Sequence, residues 1–496
     1  MNIKNLNKNM TTSILLQLVN IGYGILLPRI IIISYGSEMN GLVSATLQLI
    51  GYMKIVEAGL STASIRQFYD PLVKKDSKKI SDLFQSINYY YKKIANYFIV
   101  LSLICALVYA LIVNTNVSNL YVFLLVSVIS LSTYLDFSFG IKFYIYFLAN
   151  KEVYKYQLAQ IMAQVVKILI TLMGVYFNID LILLMLFLSL IVLIKVYILT
   201  IFFKREKINI NSKYQFIKID QRDSVLTHQI LGLIIYNGPV ILISILIDPI
   251  FASVFAIYSL IFGTFYGFYS LIYGQTLLPQ LGHAISEGKK DNVKVMHEKY
   301  NKYSILVNLV IMITTIIMFE SFIELYTYGA DINYYRYTTA TLFLGYTFIN
   351  CLKVPYQTLV NANGDFKKTI VHSVIEVLVF ILTIVSLYKM ISIDTFVLAL
   401  LLSSLYKMVS LKIFTNIYIV KESWKQHYFQ LISIFVLIII IRHLTTIYYP
   451  NVNSIMDWII NSIFIVLVTL ILSFVIIILP DKVIDRLRAL KMNYKE

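Results

Sequence analysis

The chain has 496 residues, of which 59% are hydrophobic and only 14% are charged, and its mean hydropathy is +0.76. This composition excludes an ordinary soluble multidomain protein. The apolar residues form runs of about 20, the length that an α-helix needs to cross roughly 30 Å of hydrocarbon, whereas a β-barrel would alternate over about 10 residues. The sequence therefore predicts an all-α polytopic membrane protein with no soluble catalytic domain between its spans.

Fourteen transmembrane helices are predicted from the apolar runs in chain order. They lie at about 11–33, 42–63, 90–113, 120–141, 157–177, 181–203, 225–247, 252–277, 304–325, 338–360, 369–388, 395–416, 428–447 and 458–479. A segment at 480–496 places its apolar residues on one helical side and is predicted to lie on the inner leaflet as an amphipathic tail.

The basic residues indicate the orientation of the chain. Outside the predicted spans they fall almost entirely on the side of the N-terminus, the exceptions being Arg336 and Lys389. The positive-inside rule then predicts that both termini are cytoplasmic. The formal net charge of +16 is thus an orientation signal and does not indicate nucleic-acid binding.

Two halves of the chain match each other weakly at a nearly constant offset. Residues 13–17 match 224–228 and Pro28 matches Pro239, both at an offset of 211, and 149–153 match 362–366 at 213. The predicted lobes are 1–203 and 225–427, two pseudo-symmetric six-helix bundles joined by a cytoplasmic linker at 204–224 and followed by two extra helices in 428–479. Chance matching of Ile/Leu-rich helices is the alternative. Paired bundles of this kind build alternating-access carriers.

The first eighty residues carry a family resemblance. Leu-Leu-Pro-Arg-Ile at 26–30, Asn-Gly-Leu at 40–42, Glu-Ala-Gly-Leu at 57–60 and Asp-Pro-Leu-Val-Lys-Lys-Asp at 70–76 resemble the N-terminal signature of bacterial oligosaccharide repeat-unit flippases. These belong to the polysaccharide transporter family of the multidrug/oligosaccharidyl-lipid/polysaccharide exporter superfamily. The resemblance implies a multi-pass protein of the bacterial cytoplasmic membrane that flips undecaprenyl-pyrophosphate-linked oligosaccharides to the outer leaflet, for capsule, exopolysaccharide or O-antigen. Polysaccharide polymerase and assembly proteins are the implied partners.

Basic residues outnumber acidic ones inside the predicted spans, and such charges usually face a water-filled cavity or a partner. The cationic lumen implied by the family suits a pyrophosphate, so the predicted substrate-binding residues are Arg29, Lys54, Lys167, Lys353 and Lys407. Arg29 could instead snorkel to the outer surface, and Lys353 and Lys407 could pair with a carboxylate on another helix such as Glu376.

Three intramembrane carboxylates, Glu57, Asp136 and Glu376, are candidate coupling groups or charge partners. Lys54 and Glu57 stand three residues apart, and a purely structural charge pair is the alternative for them. Pro28 and Pro239 are predicted hinges because proline kinks a helix.

Catalytic and metal-binding motifs are absent from the sequence, including the P-loop and H-E-x-x-H patterns. No enzyme activity, metal or cofactor is therefore predicted, and transport would be driven by a proton or sodium gradient or by downstream polymerisation. A drug exporter of the same superfamily is the main alternative, although it would need free carboxylates for cationic drugs. A membrane polysaccharide polymerase is the other alternative, but it would need a larger outer loop than the twelve residues at 326–337.

Overall fold

The computed structural model describes residues 3–57, 60–206, 208, 214–217, 223–288, 290–420, 452 and 454–477. Within these ranges the chain is helical and contains no strand. The helices are α1 (Ile3–Tyr35), α2 (Ser37–Met53), α3 (Leu60–Lys74), α4 (Ser77–Ile112), α5 (Asn119–Leu135), α6 (Ile141–Ala149), α7 (Val153–Tyr176), α8 (Leu181–Lys204), α9 (Asp223–Leu246), α10 (Pro249–Ile272), α11 (Leu278–Ser286), α12 (Lys290–Tyr326), α13 (Tyr337–Asn363), α14 (Phe366–Ser386), α15 (Ile393–Thr415) and α16 (Ile455–Ile477).

The predicted all-α polytopic class is confirmed. Nine helical segments in the described part of the chain are long and apolar enough to cross a membrane, and two shorter apolar helices accompany them. The other predicted spans overlap described helix, whereas the thirteenth at 428–447 and the tail at 480–496 lie outside the described residues. Residues 58–59 of the second span and 478–479 of the fourteenth also lie outside them.

Local sequence sets several helix ends. The side chains of Asp76, Ser118 and Asp180 each accept a backbone N–H at the start of α4, α5 and α8, which satisfies a donor that the helix itself leaves open. The turns at 149–153 and 362–366 share a left-handed residue at the same place, Lys151 with φ 61° and Gly364 with φ 73°. This shared geometry supports the internal duplication.

Several α-helices are interrupted or followed by turns of another helical geometry. A 3₁₀ turn, Lys54–Glu57, follows α2, and π-helical turns occupy Asp136–Gly140, Tyr273–Leu277 and Asn416–Val420. The first of these interruptions shows that the predicted second span is not one continuous helix. Irregular backbone at membrane depth persists where protein or a water-filled cavity surrounds it, and π-turns are frequent at functional sites.

The chain forms two compact units, Met1–Ile257 (unit 1) and Tyr258–Glu496 (unit 2). The boundary lies within α10, because α9 packs along α2 inside unit 1. In unit 2, α13 and α14 pack on α15, and α16 packs on α12, where Trp458 Nε1 donates to the carbonyl oxygen of Met318 at 3.0 Å. The lobes inferred from the duplication have different bounds and stay a prediction.

Candidate functional site

The break in the second span carries two of the predicted charges. Glu57 accepts a hydrogen bond from the hydroxyl of Tyr91 on α4 at 2.7 Å and another from Ser61 on α3. The two hydroxyls are also 2.8 Å apart. Within the described residues Lys54 and Glu57 form no ion pair, although Lys54 lies within electrostatic range of Glu57. Glu57 therefore ties the break to α4 and leaves the ammonium group of Lys54 without a close partner.

A second carboxylate in unit 1 is held by a lysine. The ammonium of Lys195 on α8 lies 2.6 Å from Oδ1 of Asp136, and Lys195 is only 4% exposed. The hydroxyl of Tyr156 lies 3.4 Å from the same ammonium. A Cβ atom at Gly140 would lie 2.1 Å from the Asp136 carboxylate. The glycine that ends the π-turn thus leaves room for the carboxylate to reach Lys195.

Lys195 was not among the residues predicted from sequence. Two signals could have identified it. It is a charge in α8, the span with a mean hydropathy of 2.9, the highest among those described. It also precedes Lys407 by 212 residues, within the 211–213 offset of the internal duplication.

Lys54 and Lys167 complete a group that we call the unit 1 cluster, comprising Lys54, Glu57, Asp136, Lys167 and Lys195. Lys54 and Lys167 both lie within electrostatic range of Asp136 and Lys195 and of each other. In the described part of the chain the ammonium group of neither lysine has a hydrogen bond or an ion pair. The cluster holds three ammonium groups against two carboxylates, so it carries one surplus positive charge.

Unit 2 contains a comparable group, the unit 2 triad of Lys353, Glu376 and Lys407. The two carboxylate oxygens of Glu376 face different lysines, with the Lys353 and Lys407 ammonium groups each 3.5 Å away. Lys407 also donates to the hydroxyl of Ser373 at 2.5 Å. The interhelical pairing considered from sequence is present. With two ammonium groups and one carboxylate, the triad has a net charge of +1.

A cavity of about 100 Å³ in unit 2 adjoins the triad. Lys353 contributes to its wall, together with residues of α10, α11, α13 and the π-turn that follows α10. The lining residues are Tyr266, Ser270, Gly274, Leu278, Lys353, Val354, Gln357, Thr358 and Asn361. Pockets for drug-sized ligands have volumes of about 300–1,000 Å³, so this cavity fits one small group of a larger substrate.

The remaining predicted site residues lie on helices that run without interruption. Arg29 is half-buried on α1, directly after Pro28, and α1 continues through both residues to Tyr35. Pro239 lies within α9, which is also continuous. The hinge role of the two prolines and the substrate contact of Arg29 stay predictions. In the described residues no group of His, Cys, Asp and Glu side chains has the geometry of a metal site.

These observations define an all-α polytopic membrane protein with lysine-rich clusters within its predicted spans. Neither a known family model nor a curated protein sequence matches the chain. Solved structures do match its fold. The inward closed conformation of the lipid II flippase MurJ aligns with a TM-score of 0.65 at 14% identity, over 94% of this chain and 98% of that one.

Multidrug transporters share the same fold. An inward-facing MATE family transporter of the MOP superfamily aligns with a TM-score of 0.64 at 9% identity, over 81% of this chain and 94% of that one. A eukaryotic MATE transporter aligns with a TM-score of 0.55 at 10% identity, over 89% and 99% of the two chains. The chain therefore shares its fold with a lipid II flippase and with MATE transporters.

Proposed function

We propose that this protein is a flippase that moves undecaprenyl-pyrophosphate-linked oligosaccharide repeat units from the inner to the outer leaflet of the bacterial cytoplasmic membrane. The observation that carries this proposal is the surplus positive charge of the unit 1 cluster. An uncompensated ammonium at membrane depth is expensive, and a pyrophosphate group would supply the missing negative charge through charge-assisted hydrogen bonds. The N-terminal resemblance and the fold shared with a lipid II flippase support the same class.

Lys54 is the residue that we expect to meet the phosphate first. It is exposed although it lies at membrane depth, at the point where regular helix ends. A lysine in this position faces water or a ligand. Lys167 lies within electrostatic range of it and provides a second ammonium group for the same anion. Alternating access would then carry the head group across while the polyprenyl tail stays in lipid.

The main alternative is a cation- or proton-coupled drug exporter, since MATE transporters have the same fold. Cationic drugs need a carboxylate whose charge is available. Asp136 is held by Lys195, and Glu376 lies between two lysines. The charge balance of both groups therefore favours an anionic cargo. The same ion pairs place a lysine ammonium where a coupling cation would have to bind.

The decisive experiment is deletion of the gene, followed by analysis of surface polysaccharide and of lipid-linked sugars on each leaflet of the cytoplasmic membrane. We expect loss of surface polymer, with complete repeat units retained on the inner leaflet. Complete but unpolymerised units on the outer leaflet would indicate a polymerase. Normal polysaccharide with altered drug tolerance would indicate an exporter.

Substitution Lys54→Ala tests the proposed phosphate contact. We expect export of polymer to fall by about tenfold or more, because a hydrogen bond to a charged group contributes about 1.5–3 kcal/mol. The matched control is Lys368→Ala, which removes an exposed lysine paired with Asp365 on α14 and should leave export unchanged. If the two variants export polymer equally well at equal abundance in the membrane, Lys54 does not contact the phosphate.

A further inference from the structure

The unit 2 triad has a charge imbalance that its own residues do not correct. Glu376 is the acceptor of Lys353 in the described part of the chain, and Lys407 shares the same carboxylate. Lys353 and Lys407 are 8% and 4% exposed. Two ammonium groups on one carboxylate leave a net charge of +1 in surroundings where an unbalanced charge is costly. An anionic ligand would correct this imbalance.

The ion pairs of the triad are also loose. Charge-assisted N–H···O bonds usually measure about 2.7–2.9 Å, and the Lys195 to Asp136 pair of unit 1 is that short, whereas both distances to Glu376 are 3.5 Å. A carboxylate held between two lysines gives each of them a weak bond. Lys407 has a second acceptor in Ser373, so it depends less on Glu376 than Lys353 does. Lys353 is therefore the lysine that would gain most from a new anionic partner.

A cavity adjoins Lys353. Lys353 lines it together with neutral polar side chains, among them Gln357, Thr358 and Asn361. Gln357 already donates to Asn361 at 3.0 Å. The wall thus combines one ammonium with amide and hydroxyl groups, which can donate hydrogen bonds to the oxygens of an anion. Its volume of about 100 Å³ suits one small anionic group.

We propose that the triad and this cavity form an anion-exchange subsite, in which an anionic group of the cargo replaces Glu376 on the ammonium of Lys353. The group is a phosphate or a sugar carboxylate, since both present charged oxygens of the same kind. Glu376 then remains paired with Lys407, so every charge of the triad is balanced when the ligand is bound. This inference rests on the proposed function, because it assigns part of the cargo to unit 2.

The corresponding position in the first half differs. Lys142 precedes Lys353 by 211 residues, the offset of the duplication. It donates to the amide oxygen of Asn88 at 2.8 Å and lies over the rings of Phe84 and Phe143. No carboxylate is shared between two lysines there. The largely buried, shared carboxylate of the triad is therefore not repeated at the matching position in the described residues of unit 1.

The subsite is tested by titration calorimetry on the purified full chain in lipid nanodiscs. The ligands are inorganic pyrophosphate, glucuronate and glucose. We expect Lys353→Met to weaken binding of the preferred anion by about tenfold or more, because the contacting ammonium is lost. Glu376→Gln should strengthen binding by about tenfold, since it removes the competing carboxylate. A merely structural role for Glu376 would instead predict weaker binding.

The control variant is Lys368→Met, which lies in the same unit and should bind with wild-type affinity. Glu376→Gln raises the net charge of the triad from +1 to +2. A second variant, Glu376→Gln with Lys407→Met, therefore keeps the net charge at +1. It should also bind the anion more tightly than wild type. Wild-type or weaker affinity in both Glu376 variants would overturn the exchange. Equal affinity of wild type and Lys353→Met for both anions, or glucose binding as tight as anion binding, would also overturn it.

The two anions identify the source of the charge. Preference for pyrophosphate assigns the subsite to the lipid-linked phosphate, and preference for glucuronate assigns it to an acidic sugar. The titrations do not measure transport, so failure of the subsite and failure of the proposed function give different results. Intact surface polysaccharide after gene deletion would reject the flippase, whereas unaltered anion binding in Lys353→Met would reject the subsite.

Discussion

Removal of the Asp136 carboxylate by Asp136→Ala should lower the free energy of unfolding by about 3–5 kcal/mol. The substitution leaves the ammonium of Lys195 buried without its partner at 2.6 Å. Tyr156 provides only a neutral hydroxyl at 3.4 Å in exchange. The measurement is the unfolding free energy of the purified protein in mixed micelles, from denaturant titration.

A double variant distinguishes the effect of losing the whole Asp136–Lys195 ion pair from the effect of leaving one buried charge without its partner. Asp136→Ala with Lys195→Met removes both charges, and replacing a whole buried ion pair by apolar groups is often close to neutral. We therefore expect the double variant to recover most of the stability lost in Asp136→Ala. Asp70→Asn is the control, because its pair with Lys74 is fully exposed and such pairs contribute little. Equal loss in the single and double variants would show that the charge of Lys195 is not the cause.

The fold class could be predicted from the sequence because each apolar run must satisfy its backbone as a helix in lipid. The interruption at Lys54–Glu57 could not, since the apolar pattern continues through it and hydropathy does not report backbone geometry. Helical spacing placed Lys54 and Glu57 three residues apart in one predicted span, with a charge pair between them as the alternative. Their actual partners could not be inferred this way, because Tyr91 reaches Glu57 from α4.

Ion pairs between helices could be predicted from the sequence only in part. Glu376 was a candidate partner for Lys353 and Lys407, and the structure shows both pairs. Asp136 was proposed as a coupling group without a named partner, because nothing local to it in sequence is basic at helical spacing. Lys195 comes from α8, 59 residues away. Only packing of the helices brings these two residues together, and neither sequence signal for Lys195, its apolar span or the repeat offset, names Asp136 as its partner.

Close approach of α2 to the start of α10 provides the second large expected effect. An ideal Cβ atom at Gly41 would lie 1.7 Å from the backbone carbonyl oxygen of Pro249, well below the 3.0 Å that real Cβ atoms keep. Beside it, Asn40 donates to the hydroxyl of Ser253 at 2.7 Å, and both side chains are buried. Backbone atoms cannot yield as a flexible side chain does, so Gly41→Ala must separate the two helices.

We expect Gly41→Ala to destabilise this packed arrangement by about 1–3 kcal/mol, the usual range for overpacking. A carrier that needs the arrangement in its cycle would lose about tenfold or more of its export. Ser253→Cys, in a chain whose native cysteines are replaced, should then react faster with a membrane-impermeant maleimide. Gly22→Ala on α1 is the matched control, because no atom lies within 4 Å of its added Cβ. Unchanged labelling and unchanged export in Gly41→Ala would contradict the prediction, because they would show that the added methyl group neither opens this contact nor impairs transport.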